Sequence, residues 1–145
     1  MSSDPLETLF PKLKGTAFSR TSPYDPTYNC IAWAADDKRR WWWPDPWQMY
    51  YWPDDAPREC TVAAFRAAFG TLGYSHSQTA LDDNTKEKVA LFCKNGIPTH
   101  ASRQLDAATW TSKLGPDIDI SHELEAISGI CYGEVTDILG RSKLT

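Results

Sequence analysis

Hydrophobic residues recur at helical spacing in one part of the first half of the chain. Over positions 61–72, Val62, Phe65 and Phe69 fall on one side of a helix, which predicts a helix with one buried face. Gly73 follows and predicts a left-handed cap at its end. A shorter opening helix is predicted over positions 4–13, with Asp4 as its N-cap.

The second half of the chain changes to strand-like patterning. The Asn95-Gly96 pair predicts a hairpin turn, because these residues tolerate the positive φ angles of a tight turn. The predicted elements are strands over 88–93, 97–105 and 109–114, a short helix over 121–128 and a last strand over 132–139. Helices followed by a meander of antiparallel strands predict an α+β fold.

Composition limits the classes of protein that the chain can belong to. Its 145 residues suit a single domain, with an N-terminal arm over 1–20 and a core over 28–141. The net charge of -4 argues against a nucleic-acid partner. No apolar stretch approaches the ~20 residues of a membrane span, and positions 1–9 have no signal-peptide pattern. We therefore expect a cytoplasmic protein without a membrane partner.

The aromatic residues are concentrated in one stretch. Seven tryptophans are present, five of them between Trp41 and Trp52, and Pro44, Pro46 and Pro53 interrupt the same stretch. Prolines at this density predict an irregular loop. Its rings either line a substrate groove or pack the core of a small domain. Our candidates for substrate binding are Trp33, Trp42 and Trp43.

Cys30 is the candidate nucleophile. It follows Asn29, which can cap a short helix over positions 30–35. A thiol at a helix N-terminus is expected to have a lowered pKa and a larger thiolate fraction. The alternative is a small buried hydrophobe, since free cysteines are often buried. The four cysteines show no paired spacing, so we predict no metal site.

His100 is the candidate base, because a thiolate nucleophile needs an imidazole that can come from a separate strand. The alternative is a satisfied strand histidine. If Leu105 and Thr109 flank the turn, Ser112 shares a face with His100 and could orient it. Asp117, on the following loop, is the other candidate for that role.

Several blocks together carry a resemblance. They are Tyr-Asn-Cys-Ile-Ala-Trp-Ala at 28–34, Arg-Trp-Trp-Trp-Pro at 40–44, Pro-Thr-His-Ala-Ser-Arg-Gln-Leu at 98–105 and Trp-Thr-Ser-Lys-Leu-Gly at 110–115. These blocks resemble a little-characterised family of small microbial proteins. The layout also resembles the papain-like and NlpC-type cysteine hydrolases, which implies N-terminal helices packed on a small antiparallel sheet. That resemblance implies Cys30 as nucleophile and His100 as base.

The combined prediction is a cysteine hydrolase, either a peptidase or an amidase. It would act without a cofactor on an amide bond of a peptide or protein. The alternative prediction is a non-catalytic module that binds a peptide or protein through the aromatic stretch, with Cys30 buried.

Overall fold

The computed structural model describes residues 4–77, 85–114 and 118–143. These residues form one sheet with short helices on both of its faces. The helices are α1 (Pro5–Leu9), α2 (Cys30–Ala34) and α3 (Val62–Gly70), with 3₁₀ turns at Pro11–Leu13 and Leu124–Ile127. The strands are β1 (Ser19–Ser22), β2 (Ser75–Ser77), β3 (Lys86–Lys94), β4 (Ile97–Gln104), β5 (Trp110–Lys113), β6 (Asp119–His122) and β7 (Glu134–Ser142).

The sheet has seven strands in the order β1-β6-β5-β4-β3-β7-β2, and every neighbouring pair is antiparallel. The long strand β3 lies between β4 and β7 and is buried along most of its length. Strands β4, β3 and β7 therefore form the most extensively paired part of the sheet.

The prediction of an α+β, papain-like fold is wrong. Among the described residues, most of the regular secondary structure is antiparallel sheet, and the three α-helices contain only 5, 5 and 9 residues. Strands β1, β2 and β6 were missed, because short polar strands take their conformation from pairing with a neighbour and not from their own apolar pattern. Among the described residues, no helix has the length and apolar character to cross a membrane.

Each face of the sheet has its own apolar cluster. On the α2 face, Leu91 and Ala101 pack with α2, α3 and the aromatic stretch. On the α1 face, Phe92 and Trp110 pack with α1 and the 3₁₀ turns. Successive strand residues point to opposite faces, so neighbours along β3 and β4 belong to different clusters.

Two local predictions are confirmed. Helix α3 begins after Thr61, whose hydroxyl accepts from the Ala64 N–H at 3.1 Å, and the chain turns at Gly73, whose φ is +93°. The β3–β4 hairpin turns at Asn95 and Gly96, with φ angles of 54° and 79°.

The predicted helix over 121–128 is wrong in its first half. Residues up to His122 belong to β6, and only Leu124–Ile127 form one 3₁₀ turn. The alternation of Ile118 and Ile120 with polar residues was the signal for a strand. This difference matters for the site, because it places His122 beside β5.

Candidate functional site

A cleft of ≈ 380 Å³ opens on the α2 face, near the ends of β3 and β4 where their hairpin lies. Its wall is mostly aromatic, and we call it the aromatic cleft. It is lined by Asn29, Cys30, Trp41, Trp43, Tyr50, Thr99 and Tyr132. The lining combines the start of α2, the aromatic stretch, β4 and the loop before β7.

Asn29 joins two walls of this cleft. Its Oδ1 accepts from the Ala32 N–H, which caps α2, and from the Trp42 N–H, both at 3.1 Å. Its Nδ2 donates to the Trp42 carbonyl at 2.7 Å. All these groups are buried, so the three hydrogen bonds of the Asn29 amide hold the aromatic stretch against α2.

Lys113 anchors the segment that leads into α2. Its buried Nζ donates to the carbonyls of Asp25 at 2.5 Å and Tyr28 at 3.0 Å. It also lies 4.6 Å from the centre of the Tyr28 ring. A cation from β5 therefore fixes the backbone immediately before Cys30.

Cys30 is the first residue of α2 and lines the aromatic cleft, but only 6% of its surface is exposed. Burial raises the pKa of the Cys30 thiol to about 11, against opposing backbone hydrogen bonds from Ala101 and Ile31. Desolvation thus outweighs the helix N-terminus. The thiol is protonated near neutral pH.

Of the three tryptophans predicted to bind substrate, Trp43 alone lines the cleft. Its ring meets Phe65 of α3 edge-on at 5.6 Å. Trp42 is buried and donates from Nε1 to Asp37 at 2.9 Å. Trp33 donates from Nε1 to the Thr111 hydroxyl, also at 2.9 Å. Trp33 and Trp42 therefore hold the framework, and their rings do not line the cleft.

Five lining residues were not among the predicted site residues: Asn29, Trp41, Tyr50, Thr99 and Tyr132. Tyr132 comes from the loop before β7, where Gly129 and Gly133 exchange two backbone hydrogen bonds of 2.8 and 2.7 Å. Gly133 has a φ of +75°, and a Cβ there would lie 2.1 Å from the Cys93 carbonyl oxygen. The paired glycines were the available signal for this tight loop.

His100 makes no hydrogen bond to Cys30. Its neighbour Ala101 packs in the cluster of Cys30, whereas the His100 ring stacks on Tyr132 at 4.0 Å and meets Phe92 edge-on at 5.3 Å. Neither ring nitrogen has a hydrogen-bond partner among the described residues. Burial lowers the pKa of His100 well below 6.5, so the ring is neutral. The structure does not join Cys30 and His100.

Ser112 shares a sheet face with His100, as its register predicted, but its hydroxyl has other partners. It lies 2.6 Å from the Ser102 hydroxyl and 2.6 Å from Nε2 of His122. Nδ1 of His122 lies 2.6 Å from the Glu123 carbonyl. Nδ1–H must therefore donate to that carbonyl, which makes Nε2 an acceptor for Ser112.

This chain of polar groups is buried on the α1 face, and we call it the serine–histidine chain. Burial lowers the pKa of His122 to about 4, and the hydrogen bond to the Glu123 carbonyl opposes that effect. Asp117, the other candidate for orienting His100, lies outside the described residues. In the parts of the chain that the structure describes, no three His, Cys, Asp or Glu residues come close enough to hold a metal ion.

Comparison with known proteins identifies the family. A model described as a domain of unknown function, DUF7689, matches residues 19–140. The chain belongs to the DUF7689 family. No curated protein and no solved structure matches the chain. The matched span of the DUF7689 domain includes every residue that lines the aromatic cleft.

Proposed function

We propose that this DUF7689 domain is a non-catalytic binding module, whose aromatic cleft holds an apolar or aromatic side chain of a peptide or protein. The observation that carries the proposal is the cleft wall, to which Trp41, Trp43, Tyr50 and Tyr132 contribute. Aromatic walls bury a large apolar area at a low cost in side-chain entropy, which is typical of binding sites.

The surface next to the cleft supports a peptide or protein ligand. Trp47 and Met49, on the same aromatic stretch, have 79% and 74% of their surface exposed, and Tyr50 has 44%. Exposed apolar side chains of this size, close together, are typical of interaction surfaces. A polypeptide can cover this rim while one of its side chains fills the cleft.

The chemistry of the cleft also supports binding over catalysis. The Cys30 thiol is protonated near neutral pH because burial raises its pKa to about 11. The His100 ring stacks on Tyr132 and meets Phe92 edge-on, and neither of its nitrogens has a hydrogen-bond partner among the described residues. A cysteine nucleophile needs a base within hydrogen-bond reach, directly or through one water.

The test is a titration with two blocked tripeptides, acetyl-Gly-Phe-Gly-amide and acetyl-Gly-Ala-Gly-amide, followed by the NMR resonances of the indole N–H groups. We expect saturable shifts with the phenylalanine peptide alone. Trp41→Ala should weaken its binding by about tenfold, as expected when an aromatic anchor is lost.

Trp47→Ala is the matched control, because Trp47 belongs to the same stretch but does not line the cleft. It should leave tripeptide binding unchanged, since a tripeptide is too short to need the rim. Equal response to both peptides, or equal loss in both variants, would contradict the proposal.

One observation favours a second candidate, a cysteine hydrolase that cleaves an amide bond as a peptidase or amidase. Cys30 begins α2 and borders the cleft, where backbone N–H groups of Ile31 and Ala101 favour a thiolate. Cys30 would be the nucleophile and His100 the base. This candidate requires the His100 imidazole to reach the cleft past the Tyr132 ring, on which it stacks.

Alkylation rates separate the two candidates. With limiting iodoacetamide at neutral pH, a binding module should label first at the exposed Cys60 and Cys131, and Cys30 should react more slowly than a free model thiol. Mass spectrometry of tryptic peptides gives the order. Cys30 labelling faster than the model thiol would favour the hydrolase.

We also propose a cytoplasmic setting. None of the four cysteines forms a disulfide, and a reducing compartment keeps thiols in that state. Fractionation of cells that express the tagged chain tests this directly.

A further inference from the structure

A second cleft, of ≈ 280 Å³, lies at the opposite ends of β3, β4 and β7 from the aromatic cleft. It is lined by Lys86, Glu87, Arg103, Gln104, Leu105 and Lys143. Three of these six residues are cationic, in a chain with a net charge of -4. Positive charge is therefore concentrated at these strand ends, although the net charge of the protein is negative.

The one acidic residue of this lining is already neutralised. Glu87 pairs with Arg141 of β7, which lies opposite it in the sheet, at 2.6 Å from Nε to Oε2. The same arginine donates from Nη1 to the Leu72 carbonyl at 2.8 Å, which fixes its position. Glu87 thus does not cancel the charge of the lysines.

Arg103 has unused donor capacity. Its Nη1 lies 3.1 Å from Asp36, a carboxylate that is 65% exposed, while its own side chain is only 20% exposed. Its Nε is buried, with no hydrogen-bond partner among the described residues. A guanidinium carries five N–H donors, and the contact with Asp36 uses Nη1 alone, so Arg103 has further donors to offer to a ligand in the cleft.

The two lysines of the lining have no acidic partner among the described residues. Within residues 4–77, 85–114 and 118–143, neither Lys86 nor Lys143 forms an ion pair. Both are exposed and belong to neighbouring strand ends, since Lys86 pairs with Ser142. Lys86 belongs to β3, Arg103 belongs to β4 and Lys143 follows β7, and all three line the cleft.

We propose that this cleft binds the phosphate group of a small molecule. A phosphate has several acceptor oxygens and two negative charges near neutral pH, which suits two ammonium groups and a guanidinium together. Gln104 adds a carboxamide to the lining. The site is independent of the aromatic cleft, so it does not depend on the proposed function.

Calorimetric titration at low ionic strength tests the site, because exposed charges are screened at high salt. The probes are sodium phosphate, phenyl phosphate and, as an uncharged comparison, phenol. We expect saturable binding of at least one phosphate probe and none of phenol. Tighter binding of inorganic phosphate would identify the free ion as the ligand, and tighter binding of phenyl phosphate would identify a phosphomonoester.

Lys86→Gln and Lys143→Gln should each weaken phosphate binding by about tenfold, as expected for the loss of one charge-assisted hydrogen bond. Arg103→Gln should weaken it at least as much. Lys14→Gln is the matched control, because it removes one charge from an exposed residue beyond α1 and should leave the affinity unchanged. All four positions keep part of their surface exposed, so the variants should fold, which circular dichroism checks.

Two results would overturn the proposal. One is the absence of saturable binding of either phosphate probe to the unmodified protein. The other is an equal loss of affinity in Lys14→Gln and in the cleft variants, which would mean that the probes respond only to net charge.

Discussion

The two faces of the sheet use polar residues in opposite ways. On the α2 face, Asn29 and Lys113 bind backbone groups and shape an open cleft. On the α1 face, Ser112 and His122 are hydrogen-bonded to each other inside the core. Neither residue lines the aromatic cleft or the second cleft. The first face is built to present a surface and the second to pack.

Strand β4 shows how close the two environments are. Ala101 packs against the Cys30 side, whereas its neighbour His100 stacks on Tyr132. Adjacent residues of a strand point to opposite faces, so Ala101 packs in the cluster of Cys30 while the His100 ring stacks on Tyr132, whose other surroundings include the aromatic cleft. A cysteine and a histidine on neighbouring elements do not form a catalytic dyad unless their side chains are within hydrogen-bond reach of each other.

The largest expected effect concerns the α2 face. Asn29→Ala removes the cap of α2 and leaves the Trp42 N–H and carbonyl buried without partners. We expect a loss of about 3–5 kcal/mol in the free energy of unfolding, measured by urea denaturation. Thr61→Ala removes only the cap of α3 and should cost about 1 kcal/mol. Equal losses would show that Asn29 acts as a cap alone.

The next prediction concerns acid and the α1 face. The pKa of His122 is lowered to about 4 in the folded state, so the unfolded chain binds its proton first as the pH falls. The stabilisation is complete above pH 6.5 and is lost between pH 6.5 and 4. A tenfold change in proton affinity corresponds to about 1.4 kcal/mol, which makes this loss about 3 kcal/mol. Buried His100 titrates in the same direction.

His122→Gln should make this pH dependence less steep, because the amide does not titrate and only the contribution of His100 remains. Urea denaturation at several pH values measures the slope. His76→Gln changes an exposed histidine of β2 and should keep the original slope. A slope that is the same in the two variants would contradict the assignment to the serine–histidine chain.

A pair of serine variants resolves the order of that chain. Ser112→Ala leaves both Ser102 and Nε2 of His122 without a partner, so we expect a loss of about 1–3 kcal/mol. Ser102→Ala keeps the bond between Ser112 and His122 and should cost about 1 kcal/mol. Thermal or urea unfolding gives both values. A larger loss in Ser102→Ala than in Ser112→Ala would contradict the central position of Ser112 in the chain.

The smallest expected change in stability is the most informative about function. His100→Phe replaces an imidazole that has no hydrogen-bond partner among the described residues by an apolar ring that can still stack on Tyr132. We expect the free energy of unfolding to stay the same or to rise by about 1 kcal/mol, with tripeptide binding unchanged. If the variant folds normally but loses tripeptide binding, or loses cleavage of an amide bond that the unmodified protein cleaves, His100 serves the aromatic cleft.

The candidate site could be predicted only in part, because some of its features are local and others are not. The capping of α2 by Asn29 depends on a hydrogen bond to Ala32, three residues away, and is confirmed. The lowered pKa expected for Cys30 is wrong, because burial outweighs the helix terminus. Burial depends on the aromatic stretch and β4, which are distant in sequence.

By itself, the sequence determined the elements whose signals lie within a few residues: helix α3, the Asn95-Gly96 hairpin and the start of α2 at Cys30. Tertiary structure alone decided the edge strands β1 and β2, the pairing of Ser112 with His122, and the side of the sheet that each reactive group faces. The physical reason is the distance along the sequence over which each interaction acts. Caps and turns are fixed by neighbouring backbone groups, whereas short polar strands and buried partners exist only once distant segments have paired.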